Sequence, residues 1–279
     1  MGWLEDNKIP VGKWAKWFVD WLTDNAAWFF DFLSMVLQGA IDGILWLLQT
    51  PHPFLVIALV CAISYWVRRS IGFTAFVAVG LLFIINQGYW EETTETLALV
   101  LAASFVCMAV GVPIGIAAAR RPWLYTALRP ILDLMQTIPT FVYLIPALIL
   151  FGLGMVPGLI ATVIFAIPAP IRLTHLGISS TPRPLLEAGQ AFGATPWQLL
   201  LKVELPAAAP QIMAGLTQTI MLSLSMVVIA ALVGADGLGV PTLRALNTVN
   251  IAKGFEVGIA IVLIAIILDR LFRMPAGRS

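Results

Sequence analysis

The sequence predicts an all-α integral membrane protein, and three observations carry that prediction. Of the 279 residues, 60% are hydrophobic and only 11% are charged, where a soluble domain carries about 25% charged residues. Mean hydropathy is +0.94. The apolar residues gather into runs that approach or reach the roughly 20 residues needed to cross a bilayer as a helix, and one long polar stretch, Thr174 to Pro210, interrupts them.

Residues 1–50 come first. Trp14, Trp17, Phe18 and Trp21 recur at helical spacing, as do Trp28, Phe29 and Phe32, while Asp20, Asp24, Asp31, Gln38 and Asp42 interrupt the apolar pattern. That mixture suits amphipathic helices lying in the membrane interface, where tryptophan is favoured. A span over about 27–49 is the competing reading. It would have to bury Asp31 or Asp42, at a cost of about 2.5–3.5 kcal/mol for an aspartate at mid-membrane. The opening Met1 to Asp6 lacks the basic start and cleavage site of a signal peptide, and no Ser or Thr stands where myristoylation wants one.

About seven transmembrane helices follow, in a domain over 51–273, with a short tail over 274–279. The spans are read at 53–67, 71–87, 94–119, 132–153, 156–173, 211–233 and 255–272. The first two are short and joined only by Arg68-Arg69-Ser70, a tight helical hairpin. Gly111-Val112-Pro113-Ile114-Gly115 gives the third a small-residue face suited to close helix contact, with a lipid-facing flexible segment as the alternative. Pro139 and Pro146 should kink the fourth, and Pro168 and Pro170 the fifth.

Basic residues orient the chain. Arg68, Arg69, Arg120, Arg121, Arg129, Arg172, Arg183, Lys202, Arg270, Arg273 and Arg278 fall on one side of the seven spans. The other side holds Arg244 and Lys253 with the acidic Glu91, Glu92 and Glu95. The N-terminus is therefore expected outside, and the C-terminus and the 174–210 stretch in the cytoplasm.

Several function classes lack their residues. Away from their ends the spans hold no Asp, Glu, Lys or Arg, whereas proton- and ion-coupled transporters carry ionisable groups at that depth. No nucleotide-binding GxxxxGK[ST] occurs. Gly234-Ala235-Asp236-Gly237-Leu238-Gly239 has the look of a glycine-rich nucleotide loop but no strand precedes it, so it reads as a turn leading toward an external gate. Cys61 and Cys107 sit in apolar runs, and His52 and His175 stand far apart, so no metal site is expected. A net charge of +1 suggests no nucleic-acid partner. No nucleophile or acid–base pair supports an enzyme.

The polar stretch reads as helix, glycine, helix. Thr181 with Pro182 resembles an N-cap followed by proline at the first helical position. Gly193 suits a left-handed C-cap. Thr195-Pro196-Trp197-Gln198 supplies a second N-cap, a proline and a capping-box glutamine, and Pro206 is expected to stop the second helix. Leu185, Leu186, Ala188, Phe192 and Leu199 offer apolar anchors, and Glu187 and Lys202 offer charge. Two short capped helices with exposed apolar residues make a knob fitted to a groove on another protein.

At these residues the chain resembles the permease subunit of type I ABC importers. The family signature is EAA, three residues, G, nine residues, then I-x-L-P; here it reads Glu187-Ala188-Gly189, then Gly193, then Val203-Glu204-Leu205-Pro206. Gly189 replaces an alanine and Val203 an isoleucine. The resemblance runs over about 50–273 and is most similar to the glycine betaine/proline/choline branch through the Leu132 to Leu144, Phe165 to Pro168, Ile212 to Gly215 and Leu222 to Ala230 segments, the Gly234 to Gly239 turn and the start Trp3 to Pro10.

The resemblance implies a type I importer transmembrane domain in a bacterial inner membrane, carrying choline or a related quaternary amine such as glycine betaine, or proline. It also implies a second copy of the chain, two separate ATP-binding subunits that hold ATP and magnesium, and a periplasmic substrate-binding protein; this chain would bind no cofactor. Glu187, Ala188, Gly189, Gly193, Val203, Leu205 and Pro206 would couple to the ATPases. Gln136, Thr137 and Tyr143 in the fourth span, with Thr217, Gln218, Ser223 and Ser225 in the sixth, would line the path or else bond between helices. Gly234, Asp236, Gly237 and Gly239 would form the external gate turn. Asp133 and Arg172 either pair at the cytoplasmic face or stand as independent charges. A stand-alone ion-coupled secondary transporter is the alternative function.

Overall fold

The computed structural model describes residues 10–273, and all its regular elements are helical. The first, α1, runs Val11–Gln49 as one helix with a kink at Ala26, where φ and ψ reach −124° and 17°. It is long and apolar enough to cross a membrane. Its second half packs on the bundle: Leu37 and Ile41 are buried, and the Phe30 ring meets Phe151 edge-on at 5.5 Å. Gln49 Nε2 donates to Thr94 Oγ1 at 2.9 Å. Asp31 and Asp42 stay on its exposed side, and Gln38 donates to Asp42 at 2.8 Å. The two aspartates thus avoid the packed face of α1. The aromatic stripe of Trp14, Trp17, Phe18 and Trp21 remains exposed. The start Trp3 to Ile9 and the tail 274–279 lie outside the described residues.

Two helices of 16 residues, α2 (Pro53–Arg68) and α3 (Ile71–Asn86), form the expected hairpin. Arg69 turns the chain with a left-handed φ of 49°, and Ser70 caps α3 by accepting from the Phe73 N–H. Each is about 24 Å long, short of the roughly 30 Å hydrocarbon core, so neither matches a full span.

The centre of the bundle is α4 (Trp90–Arg120), α7 (Met155–Ala166), α8 (Pro168–Ser179) and α11 (Leu205–Ala230). The small-residue face on α4 packs as expected. A Cβ on Gly115 would lie 2.7 Å from the Ile171 carbonyl oxygen and from Thr174 Cβ, and one on Gly111 would lie 2.9 Å from the Pro170 ring. Only glycine lets α4 and α8 approach this closely. α7 and α8 join at Ile167, which keeps helical dihedrals, so Met155–Ser179 reads as one span of 25 residues. Thr174 is fully buried within it. The polar stretch therefore becomes a loop only after Ser179.

The fourth expected span is broken. α5 (Pro122–Thr137) and α6 (Thr140–Phe151) meet at a 94° bend. The residue before a proline is pushed out of helical dihedrals, and Ile138 before Pro139 sits at φ −65°, ψ 130°, with Pro139 itself at ψ 132°. A kink was expected here; two successive extended residues make a corner. The chain continues through α9 (Arg183–Ala191) and α10 (Pro196–Leu199) ahead of α11, then α12 (Gly239–Asn247) and α13 (Ile251–Phe272). Among the described residues five helices are long and apolar enough to cross a membrane, or six if the bent pair counts as one span, against the seven expected.

Candidate functional site

The loop is built from the end of α8 outward. α9 begins at Arg183 with Pro182 in the capping position and Pro184 in the first turn, one residue later than an N-cap at Thr181 would place it. Thr181 is instead buried. At the far end Gly193 adopts φ 75°, the left-handed conformation expected for a helix stop. Ala194 N–H closes the turn on the Gly189 carbonyl at 3.1 Å. The capping box forms in full: Thr195 Oγ1 accepts from Gln198 N–H at 3.3 Å, and Gln198 Oε1 accepts from Thr195 N–H at 2.9 Å.

Pro206 does not stop the second helix. Leu200–Glu204 widens into a π turn between α10 and α11, and the Leu205 N–H reaches back to the Leu200 carbonyl. A π turn relaxes the ladder where the proline ring would otherwise crowd the preceding turn. The helical path is consequently continuous from Pro196 to Val233. Leu205 packs with Leu200, Ile178 and Ala208, which anchors the loop to the bundle.

Gly189 has a packing reason. A Cβ there would stand 2.7 Å from Leu199 Cδ1 and 3.6 Å from Val203 Cγ2. The glycine seats α9 directly against α10 and the π turn. Glu187 and Ala188 face outward, and Glu187 makes no hydrogen bond or ion pair among the described residues. Phe192 is 93% exposed, Trp197 68% and Leu185 49%. These aromatic and apolar groups rim the knob without touching the core. Sequence reasoning named Phe192 and Leu185 but passed over Trp197, which had been read only as part of the capping segment.

Two ion pairs lie beside the knob and the α5–α6 corner. Arg120 binds Glu204 at 3.1 Å. Arg172 binds Asp133 at 2.6 Å and donates to Gln136 Oε1 at 3.1 Å, pinning α5 to α8 just before the corner. The pairing alternative for Asp133 and Arg172 is the one observed. Arg68 also donates to the Arg270 carbonyl, which joins the end of α2 to the end of α13.

The polar residues expected to line a path do not converge. Gln136 is taken up by Arg172, and Thr137 closes back on the Leu134 carbonyl at 3.5 Å. Ser223 is fully buried on the face of α11 that packs into the bundle, and its hydroxyl has no partner. Tyr143 is half-buried, with its hydroxyl likewise unpaired. Thr217 bonds the Ala214 carbonyl of its own helix at 3.0 Å, and Ser225 the Met221 carbonyl at 3.1 Å. Gln218 and Ser225 do share the exposed strip of α11 with Ala214 and Met221. Beside the end of α11, a cleft of about 210 Å³ is lined by Phe141, Leu144, Ile145, Leu148, Leu232 and Val233.

At the opposite end the glycine turn folds tightly. Gly234 and Gly237 adopt φ of 84° and 116°. A Cβ on Gly237 would lie 2.7 Å from Thr96 Oγ1, the same oxygen that accepts from the Leu238 N–H at 2.9 Å. Gly239 lies against the Val227 carbonyl with no room for a side chain, and α12 starts there. Asp236 joins Glu91, Glu92, Glu95 and Arg244 around a cavity of about 210 Å³. Sequence reasoning missed this grouping, although the acidic residues on both flanks of the same side were its signal. Nearby, burial and then the Glu256 and Glu92 carboxylates push the Tyr89 phenol up from its ordinary value. No group of three or more metal-binding side chains occurs among the described residues.

Residues 111–276 match the family described as binding-protein-dependent transport system inner membrane component, and the chain belongs to that family. It is 46% identical over 266 residues to the glycine betaine/carnitine transport permease protein GbuB of Listeria monocytogenes, covering 94% of each chain. It is 46% identical over 264 residues to the glycine betaine transport system permease protein OpuAB of Bacillus subtilis, covering 95% of this chain and 93% of that one. The glycine betaine/proline betaine transport system permease protein ProW of Escherichia coli is 43% identical over 264 residues, with 94% and 74% covered. Among solved structures, an inward-facing form of the MetNI methionine ABC transporter superposes with a TM-score of 0.58 at 26% identity, covering 64% of this chain and 92% of that one.

The chain is thus a multi-pass inner-membrane permease of an ABC importer, without catalytic activity of its own, that works with an ATPase and a substrate-binding protein. That membership replaces the stand-alone transporter alternative.

Proposed function

We propose that this chain forms the translocation path for choline or a related quaternary amine such as glycine betaine, as one of two copies served by two ATPase subunits. The substrate class is supported by the 46% identity to permeases named for glycine betaine and carnitine. The path runs between the two copies, which accounts for the failure of the polar residues to converge within one chain. ATP and magnesium are held by the partner ATPases, and this chain binds no cofactor.

The observation that carries the mechanism is the unbroken helical path from Pro196 into α11. The knob of α9 and α10 is the ATPase contact, through Glu187, Ala188, Phe192 and the helix seated by Gly189, Gly193, Val203, Leu205 and Pro206. Closure of the two ATPases draws the two knobs together. Because the π turn keeps the helix continuous, α11 tilts with its knob, and the path changes its opening from one face to the other as a rigid-body switch. Gly234, Asp236, Gly237 and Gly239 sit where the outer gate would open to the binding protein. The knob and C-terminus face the cytoplasm and the N-terminus lies outside. Labelling of a Lys13→Cys variant only from the cytoplasm would reverse that N-terminal placement and make residues 27–49 a crossing helix.

A quaternary ammonium has no N–H to donate and is recognised by aromatic faces. No carboxylate stands in the middle of the spans. Selectivity therefore belongs mainly to the binding protein. Uptake by the chain reconstituted with its ATPase and binding protein, in competition among choline, glycine betaine and proline, tests the reading. Competition by proline alone would overturn the quaternary-amine assignment.

A further inference from the structure

Arg120 is the last residue of α4, and its Nη2 donates to two acceptors on the knob side. One is the Pro196 carbonyl oxygen at 2.9 Å, and the other is Glu204 Oε2 at 3.1 Å. The side chains are partly shielded, at 32% and 14% exposure. The two acceptors bracket a short stretch: Pro196 opens α10, and Glu204 closes the π turn of Leu200–Glu204. A π turn is the place where a helix ladder is widened, so it is where a loaded helix would yield. The guanidinium is rigid, planar and always charged, and can hold two acceptors at once; an ammonium is a point charge on a flexible stem.

We propose that Arg120 is a positioning residue for transport. It ties the two sides of the π turn to each other and to the end of α4, so that displacement of the knob reaches α11 and α4 together. Without the clasp the knob would still meet the ATPase, but the helix would flex at Leu200–Glu204 and waste the motion. α4 packs on α7, α8 and α11 through its buried face, so moving its end moves the bundle's centre. The inference rests on the reading of the knob as the ATPase contact.

The test uses the whole complex in proteoliposomes, with ATP hydrolysis and substrate uptake measured on the same vesicles. For Arg120→Ala, hydrolysis should remain near wild type, while substrate moved per ATP falls about tenfold, the scale of a lost charge-assisted hydrogen bond. Glu204→Gln, which keeps an acceptor and loses the charge, should show a smaller fall of the same kind, and Arg120→Lys should recover part of the Arg120→Ala loss. A merely structural role would lower the amount of assembled complex and leave uptake per ATP unchanged in what assembles; that result overturns the proposal. Should Arg120→Ala not assemble, Glu204→Gln decides, and wild-type uptake per ATP in it overturns the clasp. If the wild-type complex itself shows no ATP-driven uptake, the wider reading has failed; if it transports and Arg120→Ala matches it, only the clasp has.

Discussion

Truncating Phe192 separates the knob's role in partner binding from any role in folding. The ring is 93% exposed at the end of α9, so its removal takes nothing from the core, and a surface change of this kind shifts stability by about 0.5 kcal/mol or less. Seated in a groove on the ATPase, the same ring would be withdrawn from water. Full burial of a phenylalanine is worth about 1.5–3 kcal/mol, which converts to about a 10- to 150-fold change in affinity. Phe192→Ala should therefore keep the thermal stability of the detergent-solubilised permease and weaken its binding of the ATPase by that factor. The assay is titration of labelled ATPase onto permease in nanodiscs, with thermal unfolding measured on the same preparations. Unchanged affinity would refute the placement of the α9 end in a partner groove, and a lowered unfolding temperature would show that the ring supports the fold instead.

Three further predictions follow from the same geometry. Glu187→Lys, at an exposed carboxylate without an internal partner, should leave membrane insertion intact and abolish coupled transport; wild-type uptake would show that the knob is misassigned. Gly189→Ala should change stability by less than about 1 kcal/mol, since the gain in helix propensity offsets displacement of the flexible Leu199 end, and thermal unfolding checks it. Gly115→Leu should destabilise by about 1–3 kcal/mol or more, because the Ile171 backbone and Thr174 leave no room; an unfolding temperature equal to wild type would contradict the close α4–α8 packing.

The knob was legible in the sequence because capping is local chemistry. Thr195 with Gln198, and Gly193 with its positive φ, act within a few residues, and both appear as expected. Pro206 was misread for the opposite reason. Whether a proline ends a helix or starts a new register depends on the preceding ladder, and the π turn at Leu200–Glu204 is not written in any one residue. The corner at Ile138-Pro139 was foreseen as a site of distortion but not as a 94° turn, since a proline pattern alone does not say that two successive residues, Ile138 and Pro139, turn extended. Burial of Ser223 against exposure of Ser225 illustrates the limit for path residues. Two positions apart on one helix, they face opposite environments, and polarity alone does not say which face looks inward.

The central claim is that this chain is a passive path driven from outside itself. Its most direct test is quaternary-amine uptake into proteoliposomes in which the ATPase, the binding protein and ATP are withheld one at a time. The account predicts uptake only when all three are present, and none from ion gradients alone. Gradient-driven uptake by the permease without its ATPase would contradict it.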